Sequence, residues 1–382
     1  MKRVLLTAAI AAPALFAGAW FAQARTSGGV VRTYYVAAEE VEWDYAPTGT
    51  NQITGEPFSE AEKLYVEPGP QRMGRKALKA VYREYTDSTF TTPKPRAPEW
   101  EHLGMLGPVI RAEVGDTIKI VFRNNARFPA SMHPHGVFYN KDSEGAPYAD
   151  NSSGADKADD GVPTGGTHLY TWAVPERTGP TEHEGSTAFW MYHSHIDEVK
   201  DVNSGLIGPM IITRRGMANP DGSPKDVDRE LVAAFAEYDE NMSHYVQHNI
   251  DTYYTEPKSV QVLPAPFAGQ GVIPGFDKNF KETINGFLHG HTPGLTMRQG
   301  DRVRWYVMAT TNFEFHAPHW HGNVVTIGMM RTDVASITSM EMVTADMVAD
   351  NPGKWLFHCH NGPHLIMGMS STFTVEPVQV AN

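Results

Sequence analysis

An internal repeat restricts the fold more than any other feature of the chain. Gly107-Pro-Val-Ile-Arg-Ala-Glu-Val-Gly-Asp116 leads into a β-rich run and then Met132-His-Pro-His-Gly136. Pro293-Gly-Leu-Thr-Met-Arg-Gln-Gly-Asp301 leads into another such run and then Pro318-His-Trp-His-Gly322. The second halves match as well, Phe189-Trp-Met-Tyr-His-Ser-His195 against Lys354-Trp-Leu-Phe-His-Cys-His360. Two copies of one unit imply two domains of one fold. Short alternating segments such as Thr117–Phe122 and Arg302–Val307, separated by Gly and Pro, read as sandwich strands. The expected class is all-β, two Greek-key β-sandwich domains over residues 25–215 and 230–382.

The polar stretch Arg214–Arg229, with Asn219-Pro220-Asp221-Gly222, reads as the connection, and residues 216–229 are assigned to a linker. Residues Thr26–Trp100 read as an added arm, polar and Pro-rich in part, with one short helix around Ser59–Tyr65. Lys2 and Arg3, the apolar run Val4–Phe21 and Ala22-Gln23-Ala24 form an export leader, so residues 1–24 are expected to be removed. The mature chain is then periplasmic or secreted, with no membrane span after cleavage. A net charge of −12 opposes nucleic acid as a partner.

The chain has 17 histidines among 382 residues. Chance supplies roughly 0.8 His-x-His pairs in such a chain, yet five occur. Four of them, His133/His135, His193/His195, His319/His321 and His358/His360, occupy equivalent places in the repeat. The fifth, His289/His291, lies outside it and is about what chance supplies. Residues i and i+2 of a strand project from one face, about 6.5–7 Å apart. Each pair can therefore present imidazoles to two neighbouring metal ions. Eight imidazoles divide as three, three and two among three copper ions, which neutral imidazole suits.

Cys359 is the one cysteine, so no internal disulfide exists, unusual in an exported chain. Its sulfur points away from the face carrying His358 and His360. With His316, His364 and Met369 at short spacings, it completes a blue copper set of two imidazoles, a thiolate and a weak thioether. The same spacing in the first copy lands on Ala130, Ser194, Val199 and Ser204, which gives one blue copper per chain. Electrons entering at Cys359 reach the cluster through His358 and His360.

At these residues the chain resembles the multicopper oxidases. HPHG, YHSH, HAPHWHG and HCHNGPHLIMGM are similar to that family's copper motifs, in order. Thr33–Tyr45, Glu144-Gly-Ala-Pro-Tyr148 and Ser204-Gly-Leu-Ile-Gly-Pro-Met210 resemble ceruloplasmin-type domains, and the two-domain plan resembles small two-domain laccases. The resemblance implies cupredoxin-like domains and four coppers per chain. It assigns type 1 copper to His316, Cys359, His364 and Met369, and type 2 to His133 and His319. The type 3 pair falls to His135, His193, His195, His321, His358 and His360. Tyr139 and Glu144 fall where two-domain laccases keep a tyrosine and an acid for electron or proton supply.

The resemblance also places calcium at Asp159 and Asp160, in an oxygen-rich loop. Asp277 and Glu282 fall near acidic and histidine positions of ceruloplasmin's iron-oxidising site. The acid normally ahead of the second type 1 histidine is Pro363 here, so a laccase-like phenol oxidase is expected, with Fe(II) or Cu(I) oxidation as the alternative. Met329, Met330, Met340, Met342 and Met347 are expected to pack in the core or at a rim rather than receive Cu(I). A copper nitrite reductase needs blue copper in the first domain, which Ser194 opposes. A non-catalytic copper protein would be expected to lack ligands, and none is missing. The partners expected are O2, a phenolic or metal-ion electron donor and two further copies of the chain. A head-to-tail homotrimer would bring four first-domain histidines against four from a neighbour's second domain.

Overall fold

The computed structural model describes residues 29–257, 276–310 and 315–378, and the expected leader over 1–24 lies outside them. A five-stranded sheet runs in the order Lys76–Tyr85, Val31–Asp44, Thr117–Asn124, Thr167–Ala173, Phe138–Tyr139. Facing it, a four-stranded sheet runs Ile110–Glu113, Ile207–Thr213, Thr187–His193, His133–Pro134. The second sandwich repeats this plan. Its six-stranded sheet runs Phe280–Ile284, Arg229–Asp239, Arg302–Ala309, Met342–Val348, Val325–Ile327, Met330–Thr332, and its four-stranded sheet runs Thr296–Arg298, Ser370–Glu376, Gly353–Cys359, Pro318–Trp320. The two correspond strand for strand, with Met330–Thr332 as the one addition among the described residues. In both, the long first strand pairs in parallel with its inner neighbour, Val31–Asp44 with Thr117–Asn124 and Arg229–Asp239 with Arg302–Ala309.

Alternation places the core. Ile118, Ile120 and Phe122 are fully buried while the residues between them are half-exposed, the pattern of a sheet with one wet face. Arg302–Ala309 instead is buried from Val303 onward. Val303, Trp305 and Val307 fill their own sandwich, whereas Tyr306 and Met308 pack with Val232 against Phe189, Met191 and Ile207 of the first one. Burying each large side chain contributes about 1.5–3 kcal/mol, so the sandwiches share an apolar seam. Arg111 and Glu230 close one end of it with paired bonds of 2.8 and 3.1 Å.

Of the stretch read as an added arm, Thr26–Trp100, the described residues from 29 onward are not an appended arm. Val31–Asp44 and Lys76–Tyr85 are the two outer strands of the first sheet, matching Arg229–Asp239 and Phe280–Ile284. Between them, Glu60–Val66 is helical behind a capping box: Glu62 N–H donates to Ser59 Oγ at 3.3 Å and Ser59 N–H to Glu62 Oε2 at 2.7 Å. Residues 214–229 turn compactly, with Ala218 bridging Pro224 and Thr213 Oγ1 donating to the Gly222 carbonyl at 2.8 Å.

Candidate metal centres

Each His-x-His-Gly motif starts on a short strand and ends in a turn. His133 lies opposite His193, and His319 opposite His358, so cross-strand pairing doubles each motif into a quartet. The glycine closing the motif is required twice over. Gly136 and Gly322 have φ of +75° and +64°, a region that costs other residues strain. A Cβ would also come 2.2 Å from the Trp190 ring at Gly136 and 2.6 Å from the Trp355 ring at Gly322.

In the first quartet, His135 Nε2 and His193 Nε2 are 3.0 Å apart, and the rings of His133 and His195 are centred 5.0 Å apart. In the second, His358 Nε2 lies 3.0 Å from His321 Nε2 and 3.3 Å from His319 Nδ1, and the rings of His319 and His360 are centred 5.1 Å apart. The second nitrogen of several rings is anchored. His193 Nδ1 bonds the Ser194 carbonyl at 3.0 Å, His358 Nδ1 the Cys359 carbonyl at 2.8 Å, and His133 Nδ1 the Glu144 carbonyl at 2.7 Å. Such bonds fix the ring and its tautomer and leave Nε2 for a metal. Burial lowers His193 well below the ordinary imidazole range and His135 to about 4, which keeps them in the neutral, ligating form. Among the described residues no hydrogen bond or ring contact joins one quartet to the other. Each lies open at an edge, where His195 is half-buried and His360 exposed.

Cys359 faces the opposite side of its strand and is fully buried. The donor atoms of His316, Cys359 and His364 lie within 4.8 Å of one another, with the two Nδ1 atoms 3.2 Å apart and Sγ 3.5 Å from His364 Nδ1. Ala317 N–H donates to the sulfur at 3.3 Å, and burial pushes His316 down to about 3. Met369 is fully buried, and its carbonyl accepts from Cys359 N–H at 3.1 Å. Two imidazoles and a thiol converge in a buried pocket with Met369 buried on the paired backbone beside Cys359, a residue set that fits the soft donors of a blue copper site.

The first sandwich keeps this loop without the donors. Ser194 N–H donates to the Leu206 carbonyl at 3.1 Å as Cys359 does to Met369, and Gly205 ends its helix as Gly368 does. Leu206 and Asp201 therefore stand at the places of Met369 and His364, correcting Ser204 and Val199. The loop is two residues longer, so equal spacing misplaces them. Ser194 Oγ donates to Asp201 at 2.7 Å, and His244 Nε2 lies 2.8 Å from the other Asp201 oxygen.

Tyr139 is half-buried, its ring centred 6.1 Å from that of His133. Glu144 meets the quartet through its backbone, while its carboxylate is engaged by Lys141 and, at 3.0 Å, Tyr148. Asp159 is buried. One carboxylate oxygen accepts from Gly145 N–H at 2.7 Å, and the other has no partner among the described residues. Asp160 pairs with Lys157 at 3.0 Å. Glu282 is buried with an oxygen 3.8 Å from His364 Nδ1, but the Asp277 side chain lies outside the described residues. Glu237 was not anticipated. It faces Glu282 across the strand pair and joins it and His364 in one cluster of possible ligands. An acid inside the otherwise apolar run Leu231–Tyr238 was the available signal. Met347 is buried, Met340 and Met342 pack on the seam between the sandwiches, and Met329 and Met330 are exposed.

Two family models, both described as multicopper oxidase, match residues 103–216 and 268–379, together more than half the chain. The chain belongs to the multicopper oxidase family. It is 43% identical to Ferroxidase HEPHL1 of Homo sapiens over 91% of its own length and 30% of that protein. It is 38% identical to ceruloplasmin of Homo sapiens over 90% of its length and 31% of that protein. The chain thus spans under a third of the length of those relatives. A blue copper oxidase from Nitrosomonas europaea superposes with a TM-score of 0.55 at 17% identity, over 91% of this chain and 86% of that one. At that identity the likeness carries the fold alone, an all-β pair of cupredoxin-like sandwiches.

Proposed function

We propose that the chain oxidises a metal ion one electron at a time at the His316–Cys359–His364–Met369 site and delivers the electrons to dioxygen at the histidine quartets. The observation that carries the choice of donor is the buried pair Glu237 and Glu282, one carboxylate 3.8 Å from His364. The expectation of a phenol rested on Pro363 standing where an acid is wanted. Glu282 and Glu237 bring two carboxyl groups to His364 from a neighbouring strand pair, and relatives bearing the name ferroxidase point the same way. We infer Fe(II) as the donor.

Copper, when bound, supplies one-electron storage at the cysteine site and four-electron reduction of dioxygen at the quartets. The chain's residues do the rest. His316, Cys359, His364 and Met369 would hold type 1 copper, and His133 and His319 type 2. His135, His193, His195, His321, His358 and His360 would hold the type 3 pair. Cys359 links the two centres through its own backbone, since its neighbours His358 and His360 belong to the quartet. Tyr139 stands beside His133 with a phenol proton and electron to give, whereas the Glu144 carboxylate is tied to Lys141 and Tyr148. The unpaired oxygen of Asp159 supports calcium in its loop.

Because no hydrogen bond or ring contact joins the two quartets among the described residues, we infer that the chain closes head to tail with copies of itself, each cluster shared between two chains of a homotrimer. The leader supports export, and no helix among the described residues is long and apolar enough to cross a membrane. Oxygen uptake by one copper-loaded sample, compared with Fe(II), Cu(I) and a phenol, tests the donor. Fe(II) is expected to give the highest kcat/KM. A phenol preferred by about tenfold or more would return the chain to the laccases.

A further inference from the structure

The fifth His-x-His pair lies beside the cysteine site. His289 is 1% exposed, its Nε2 has no hydrogen-bond partner among the described residues, and its φ is +49°. A non-glycine residue persists in that region only when its surroundings hold it there. Here they are two hydrogen bonds of 2.8 Å, from His289 N–H to the Gly368 carbonyl and from Gly290 N–H to the Ser370 carbonyl. Those carbonyls flank Met369. The ring lies on the same segment, since a Cβ at residue 368 would come 3.0 Å from His289 Nε2.

The other side of this turn is held by the first sandwich. Leu288 N–H donates to the Tyr45 carbonyl at 2.8 Å and Gln52 N–H to the His289 carbonyl at 2.9 Å. The Phe58 ring is centred 5.3 Å from the His289 ring, and Glu62 Oε1 lies 3.9 Å from Nδ1. Every one of these contacts comes from the segment between the first two strands, including its short helix. His289 therefore bridges this segment of the first sandwich and the Gly368–Ser370 stretch of the second.

We propose that His289 is a positioning residue for Met369: wedged between Phe58 and Gly368, its ring sets how closely the thioether approaches copper. The inference rests on the blue copper reading of the cysteine site. A weak axial thioether tunes the reduction potential and spectrum of such a site, so the consequence is electronic.

The test uses the full-length, copper-loaded protein as wild type, His289→Asn and Phe58→Leu, each also combined with Met369→Leu. Asn tolerates the left-handed backbone and keeps both main-chain bonds while removing the ring. His289→Asn is expected to shift the blue band and the reduction potential at unchanged copper content, and Phe58→Leu to shift them the same way by less. Neither is expected to shift them further in Met369→Leu, because coupled residues are non-additive. An unshifted His289→Asn, or an equal shift with and without Met369, overturns the proposal. If His289→Asn fails to fold, Phe58→Leu decides by the same comparison. A loaded wild type with no blue band would overturn the site reading itself, and this inference with it.

Discussion

Ser194 records what the loss of Cys359 does. At the equivalent place in the first sandwich the hydroxyl is tied to Asp201, and no sulfur or thioether remains. Cys359→Ser is accordingly expected to abolish the blue absorption while leaving the near-ultraviolet shoulder of the quartet copper, checked in one absorption spectrum. At the donor side, Glu282→Gln keeps the shape of the side chain and removes its carboxyl group. Fe(II) turnover is expected to fall by about tenfold or more with phenol turnover kept, read as kcat/KM for each. Equal losses for both donors would remove the carboxylate from substrate binding. The copper-motif histidines and Cys359 were legible in the sequence because strand periodicity alone puts i and i+2 on one face. Glu237 was not, since its meeting with Glu282 depends on the register of two strands about 45 residues apart in sequence. Asp201 was hidden by a loop two residues longer than its counterpart.

At the scale of elements, the His-x-His-Gly turn is the most constrained unit. Gly322→Ala forces a left-handed alanine and drives a methyl 2.6 Å from Trp355. Strain and overpacking each cost about 1–3 kcal/mol, so a lowered Tm and reduced quartet copper are expected, by calorimetry and metal analysis. Ser59→Ala, at the capping box, is expected to cost about 1 kcal/mol in urea unfolding without changing copper content. Thr117–Asn124 and Arg302–Ala309 were readable as strands from alternation and from the repeat itself. Val31–Asp44 was missed because it carries Glu39, Glu40 and Glu42, acids that read as surface arm until paired with Arg127, Lys76 and Tyr85. The blurred alternation of Arg302–Ala309 has the opposite cause, burial on both faces by the second sandwich's own core and by the first sandwich.

Over the whole molecule, the sandwiches are joined by more than apolar area. Lys79 and Glu240, both fully buried, meet at 2.5 Å across the seam. Glu240→Ala leaves a buried cation uncompensated, a loss of about 3–5 kcal/mol, expected as a lower urea midpoint. Among the described residues no such bond joins the two quartets. Mixing His133→Ala/His135→Ala chains with His358→Ala/His360→Ala chains, then reassembling them, is expected to restore part of the activity, because some clusters regain a full set of imidazoles. Sedimentation of a fully active monomer would contradict the shared cluster. The account stands on ten histidines, Cys359 and Met369 acting as one electron path, and counting metal tests that most directly. Copper analysis of the loaded, desalted protein is expected to give four ions per chain alongside a blue band and a near-ultraviolet shoulder, whereas one or two ions per chain would contradict it.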